Sequence, residues 1–151
     1  MKNLVTGGAG FIGSHLTERL LQAGHEVRVY DNFSTGQRQF LKAAENDEKF
    51  ELFDADLLDE VTLDRSMQDV EFVWHLAANA DVRFGTDRPR RDLEQNTVAT
   101  SNVLEAMRKN DVQNIVFSST GSIYGEASVI PTPESCPMPI QTSLYGASKL
   151  A

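Results

Sequence analysis

The sequence predicts an α/β domain built on a doubly wound parallel sheet, and three observations carry that prediction. Thr6-Gly7-Gly8-Ala9-Gly10-Phe11-Ile12-Gly13 is a glycine-rich turn between a short apolar run, Leu4-Val5, and a helical pattern that starts at Ser14. Strand-like and helix-like segments then alternate along the chain, as in repeated strand-helix-strand units with a parallel sheet. Asp31 closes the second strand pattern at roughly the 20-residue distance expected of a carboxylate that serves such a turn. Right-handed crossovers give the strand order 3-2-1-4-5, with a ligand crevice at the strands' carboxyl ends, where the order reverses between strands one and four.

Lys2 to Val5 reads as a buried first strand. Ser14 to Ala23 reads as the following helix, with Leu16, Leu20 and Leu21 at helical spacing and Gly24 as its stop. Glu26 to Tyr30 is the second strand, Asp31 to Gly36 a polar turn, Gln37 to Glu45 a modest helix, and Phe50 to Phe53 the third strand. Asp59 is placed to cap a helix that runs to about Met67, and Glu71 to Leu76 forms a fourth strand ahead of the small residues Ala77-Ala78-Asn79-Ala80. Pro89 opens the longest helix, which reaches about Lys109 with Leu93, Val98, Val103, Leu104 and Met107 as its apolar set, and Asn114 to Ser118 is the fifth strand. From Thr120 to Thr142 four prolines, Pro131, Pro133, Pro137 and Pro139, enforce a long loop, read as a shelf or lid over a site, before helix resumes near Ser143.

The length of 151 residues suits one domain with one core. Fourteen Lys and Arg against 22 Asp and Glu give a net charge of −8, which disfavours nucleic acid and anionic membrane surfaces as partners. Cys136 is the only cysteine, no C-x-x-C or H-x-x-x-H spacing offers a metal site, and this usage fits a cytoplasmic setting. Neither a signal peptide nor a run of about 18 apolar residues is expected in these residues.

Gly8, Gly10 and Gly13 match the G-x-G-x-x-G spacing of a dinucleotide turn, in which missing side chains let backbone N–H groups approach a pyrophosphate at a helix N-terminus. A carboxylate at Asp31 suits ribose hydroxyls and repels an added phosphate, which favours NAD over NADP. Tyr145 and Lys149 stand four apart on the last helix and so share a face. An ammonium near a phenol favours the phenolate and makes the tyrosine a general base for a hydroxyl proton. Asp54 and Asp56 alternate at a strand end and point to opposite faces, which argues against a paired-carboxylate hydrolase. His15, His25 and His75 lie far apart and are read as structural, and Cys136 as unreactive.

Thr6 to Gly13, Asp31-Asn32, Asp56-Leu57, His75-Leu76-Ala77-Ala78, Asn96, Ser118-Ser119-Thr120 with Ile123-Tyr124-Gly125, and Tyr145-Gly146-Ala147-Ser148-Lys149 occur in one order. That order resembles the extended short-chain dehydrogenases, within the NAD-dependent epimerase/dehydratase family, and the nucleotide-sugar 4-epimerases among them. The resemblance implies a Rossmann-type fold, NAD as cofactor and a nucleotide sugar, a UDP-hexose above all, as substrate. It implies catalytic roles for Thr120, whose hydroxyl would bond the reacting sugar oxygen, for Tyr145 as proton carrier, and for Lys149 as the ribose-binding cation. It implies cofactor contacts at Gly7, Gly10, Phe11, Ile12 and Gly13 along the pyrophosphate, and at Asp31, Asn32, Ser34, Thr35 and Gly36 along the adenosine ribose. Asp56 and Leu57 would meet the adenine, while Leu76, Ala77, Ala78, Asn96 and Ser118 would line the rest, with Tyr145 and Lys149 also touching the cofactor.

Gly121-Ser122 stands where dehydratases of the superfamily carry an acidic pair, so the resemblance favours epimerase over dehydratase or decarboxylase. A non-catalytic NAD-binding module is the competing class. Members of the family run to roughly twice this length, so these residues are expected to be an N-terminal half without the substrate domain, able to bind NAD but with little or no turnover. Pairing through the long helix and the helix of Tyr145 is expected to make a homodimer or another self-association.

Overall fold

In the computed structural model of the chain, residues 1–79 and 87–151 are described, so Ala80, the last of the small residues expected after the fourth strand, lies outside the described residues. The strands are β1 (Lys2–Thr6), β2 (Glu26–Asp31), β3 (Phe50–Asp54), β4 (Phe72–His75) and β5 (Asn114–Phe117). They form one parallel sheet in the order β3-β2-β1-β4-β5, as the alternating pattern predicts. The register sets Val5 of β1 beside Val29 of β2 and Trp74 of β4.

Adjacent β1 residues face opposite sides of the sheet, and each side has its own apolar layer. Leu4 joins Leu63, Met67, Val73, Val103 and Met107 beneath α2 (Glu60–Met67) and the long helix, while Val5 joins Leu20, Leu21, Val27, Val29 and Leu41 beneath α1 (Phe11–Gln22). Burial on both faces explains why Leu4 and Val5, adjacent in β1, are both apolar. Asp59 caps α2 as expected, accepting from the Thr62 N–H at 3.1 Å.

Four local expectations change. The first helix begins at Phe11 rather than Ser14, because Gly10 in extended conformation is its N-cap and Gly13 lies within its first turn. The Gln37 to Glu45 segment is two short 3₁₀ turns, Arg38–Leu41 and Ala44–Asn46, each anchored by one buried apolar residue, Leu41 and Ala44, which is too little for a continuous amphipathic helix. The long helix runs as α3 (Pro89–Asp92), a π-helical segment (Leu93–Val98) and α4 (Ala99–Lys109). The wider π turn shifts the helical phase, so Leu93, Val98 and Leu104 are exposed and the core face is Ala99, Val103, Ala106 and Met107.

The proline-rich segment is a loop as expected, with a 3₁₀ turn at Gly121–Tyr124 near its start and α5 (Leu144–Leu150) at its end. Its far end returns to its beginning through the Gln141 side-chain N–H, which donates to the Ile123 carbonyl at 2.9 Å. None of its residues lines the cleft at the glycine turn, so it is no lid over that cleft. No helix among the described residues is long and apolar enough to cross a membrane.

Candidate functional site

A cleft opens at the carboxyl ends of β1, β2 and β4. The crossing point of the sheet order therefore holds the site, because two neighbouring connections leave in opposite directions there. Gly7, Gly10, Asp31, Asn32, Ser34, Thr35, Gly36, Leu57, Leu76, Ala77 and Ala78 line it, together with Tyr30, Ala55 and Gln95.

The glycines make the cleft by steric necessity. Gly7 has φ of +71°, and a Cβ there would lie 2.7 Å from the Ala77 nitrogen. A Cβ on Gly10 would lie 3.2 Å from the Gly7 carbonyl oxygen, and one on Gly13 would run into that same carbonyl. The cradle is thus Gly7, Gly10 and Gly13. Gly8, which the motif spacing selects, differs from them. Its Cβ would collide with Val29 at 2.6 Å, so its bareness seats the turn on β2.

Asp31 organises the turn from the next strand. Its carboxylate accepts from the Ala9 N–H at 2.8 Å and the Phe33 N–H at 2.9 Å, and Phe33 takes a left-handed φ of 54° to make this reach. Two of the roughly four acceptor positions of a carboxylate remain for a ligand. The Asn32 amide donates to Asp56 at 2.8 Å, and Gln95 reaches the same carboxylate from the π segment at 3.2 Å. Asp56 therefore stands behind the cleft and ties three of its walls together, leaving Leu57 to line it. The Tyr30 hydroxyl donates to the Asp56 carbonyl at 3.0 Å, and burial, reinforced by Asp59 and Asp56, pushes its pKa upward.

The wall at β4 rests on a buried histidine. His75 Nδ1 lies 2.7 Å from the Thr6 hydroxyl and Nε2 lies 2.9 Å from the Thr100 hydroxyl, while the Ala77 N–H donates to Thr6 at 3.3 Å. Burial, with help from Lys149, lowers the His75 pKa to about 4, so the ring is neutral at pH 7. It is a strut between β1 and α4.

A second group of residues surrounds α5. The buried Asn96 amide accepts from the Asn79 N–H at 2.8 Å and donates to the Ser148 hydroxyl at 2.9 Å, and Ser148 in turn donates to the Tyr145 carbonyl at 2.8 Å. The Thr97 hydroxyl donates to the Ser148 carbonyl at 3.1 Å. The π segment presents Gln95, Asn96 and Thr97 successively to the cleft, to the Asn79 backbone and to α5. Lys149 is buried with its ammonium 4.2 Å from the centre of the Phe117 ring, and Tyr145 is half-buried one turn earlier. Thr120 caps the 3₁₀ turn that packs on α5, its hydroxyl accepting from the Ser122 N–H at 3.2 Å. Ser118 continues β5 by donating to the His75 carbonyl at 3.1 Å. Phe11 and Ile12 are exposed at the start of α1.

The structure thus gathers most of the expected cofactor residues into one cleft, and places Asn96, Thr120, Tyr145 and Lys149 around α5 beside it. Sequence reasoning missed Tyr30, Ala55 and Gln95. The first two each precede a residue it did select, at strand ends where neighbours share the rim, whereas Gln95 reaches the cleft from a π segment that no periodicity announces. No group of His, Cys, Asp and Glu among the described residues could hold a metal ion.

A doubly wound sheet with a glycine cradle at its switch point and a carboxylate at the end of β2 defines the Rossmann-type nucleotide folds. The chain belongs to the NAD dependent epimerase/dehydratase family, which matches residues 3–151. It is 42% identical to a UDP-glucose 4-epimerase of Corynebacterium glutamicum, over all of this chain and 44% of that protein. Among solved structures it resembles a UDP-galactose 4-epimerase, with a TM-score of 0.87 and 44% identity over all of this chain and 48% of the other. It also resembles the UDP-glucose 4-epimerase of Brucella ovis solved in complex with NAD, with a TM-score of 0.89 and 34% identity over 99% of this chain and 44% of that one. The chain spans about half the length of the curated relatives it matches.

Proposed function

We propose that these residues are the NAD-binding half of a nucleotide-sugar 4-epimerase acting on a UDP-hexose. The observation that carries the reading is the cradle of Gly7, Gly10 and Gly13, which side chains would fill, facing an Asp31 carboxylate with acceptor capacity to spare. Exposed backbone at the start of α1 would take the pyrophosphate, Asp31 the adenosine ribose hydroxyls, and Leu57 with Ala55 the adenine. When bound, NAD supplies the acceptor and donor of the hydride exchanged at the sugar's C4.

The chain's own work is positional and protonic. Tyr145 takes and returns the proton of the C4 hydroxyl, Thr120 holds the sugar oxygen, and Lys149 is the cation that holds the ribose. Gly121 and Ser122 follow Thr120 without an acid to protonate a departing hydroxyl, which favours epimerisation over dehydration. The 151-residue segment by itself is expected to bind NAD but not to turn over UDP-galactose appreciably, since binding energy from remote parts of the substrate drives the chemistry. Self-association through the exposed apolar residues of the long helix and α5, such as Leu93 and Leu144, and a cytoplasmic location belong to the same reading.

Calorimetric titration tests it. NAD should bind, and NADP should bind at least about ten-fold more weakly because its extra phosphate meets Asp31. Equal affinity for the two, or binding of neither, overturns the reading. A non-catalytic module would be indicated if a longer chain that includes these residues bound NAD without epimerising any UDP-sugar.

A further inference from the structure

Lys149 is 7% exposed, and among the described residues its ammonium has neither a carboxylate partner nor a hydrogen bond. Most of its side chain is packed against neighbours, and that partial loss of hydration disfavours the charged form. The group it meets is the face of Phe117, with Nζ 4.2 Å from the ring centre, well inside the roughly 6 Å range of cation–π attraction. Phe117 is the last residue of β5, which pairs with β4, and is 37% exposed. The ring of the neutral His75 also lies near it, with centroids 5.6 Å apart.

We propose that Phe117 is a positioning residue that holds the Lys149 ammonium through its aromatic face, an inference that rests on the role given to Lys149 above. The aromatic face supplies electrostatic stabilisation without a formal counter-charge. A carboxylate here would pair with the lysine and cancel its charge, whereas a ring leaves that charge in place. Burial holds the Lys149 pKa below the usual lysine range, and the groups facing it from neighbouring elements are Phe117 on β5 and His75 on β4, with Tyr145 preceding it on α5.

Nuclear magnetic resonance of the chain carrying carbon-13 lysine tests this, with Lys2, Lys42, Lys49 and Lys109 as internal controls. In the unsubstituted chain the Lys149 ε-methylene should be shifted upfield by the ring; an unshifted signal overturns the proposal whether or not any variant folds. Phe117→Leu, which keeps the apolar volume, should abolish that shift and lower the Lys149 titration midpoint by about one further pH unit, while Phe117→Tyr should keep both. A folded Phe117→Leu chain with an unchanged midpoint, or a Phe117→Tyr chain that moves as far as Phe117→Leu, overturns it. An NAD titration run in parallel separates the two readings. Absent NAD binding with a responsive Lys149 midpoint removes the functional reading alone, and NAD binding with an unresponsive midpoint removes this one alone.

Discussion

The two halves of the candidate site are built differently. Around the glycine turn the backbone is held from several sides: Gly7 donates to the Tyr30 carbonyl at 2.9 Å, Gln37 to the Ala9 carbonyl at 2.9 Å, and Asp31 fastens Ala9 and Phe33. Around α5 the helix is joined to the π segment by Asn96, Thr97 and Ser148, beside β5, whose Val116 and Phe117 are exposed among the described residues. The first half is set by backbone geometry that tolerates no added atom. The second is set by side-chain hydrogen bonds, each replaceable at modest cost. Cofactor affinity should therefore be lost together with the fold, whereas the catalytic residues can be loosened while the fold survives.

The largest effect should come from Gly13→Ala, whose methyl would enter the Gly7 carbonyl, an atom of backbone that has no rotamer with which to yield. About 3 to 5 kcal/mol of stability should be lost in urea titration, with NAD binding abolished. A loss below about 1 kcal/mol would show that the turn is softer than its geometry implies and would break the contrast.

Next comes pH. The folded His75 pKa, about 4, lies below the ordinary value of 6.5, so the unfolded chain binds more protons between these limits and stability rises with pH there. The contribution is fully present above about pH 6.5 and is lost as pH falls toward 4, by up to about 3 kcal/mol. Melting temperatures measured from about pH 7 down to about 4.5 should show this slope, and His75→Gln should flatten it; an equal slope in both proteins would remove His75 as the strut of the β4 wall.

Asp31→Ala leaves the buried N–H of Ala9 and the partly buried N–H of Phe33 without their acceptor, a cost of about 2 kcal/mol, and should weaken NAD at least ten-fold. Ser148→Ala sharpens the comparison from the other side. About 1 kcal/mol should be lost, and amide exchange should quicken in α5 while α1 remains protected. Exchange quickening equally in both helices would show that the two halves open as one unit.

The family was legible as a resemblance carried by motifs in one order, and the sheet order followed from the alternation of strand and helix patterns, since right-handed crossovers leave few arrangements. Asp59 was legible as a cap, since that is a local hydrogen bond between residues three apart. The candidate residues around the glycine turn were legible as a set, but their division of labour was not. Only the packed structure separates Gly8, bare for the sake of Val29, from Gly7, bare for the sake of Ala77, because each requirement comes from a residue distant in sequence. Likewise the π segment that turns Gln95 to the cleft and Asn96 to α5, and the Phe117 ring under Lys149, come from contacts between elements. Spacing within a segment records its own periodicity; which face meets which neighbour is decided when the layers close.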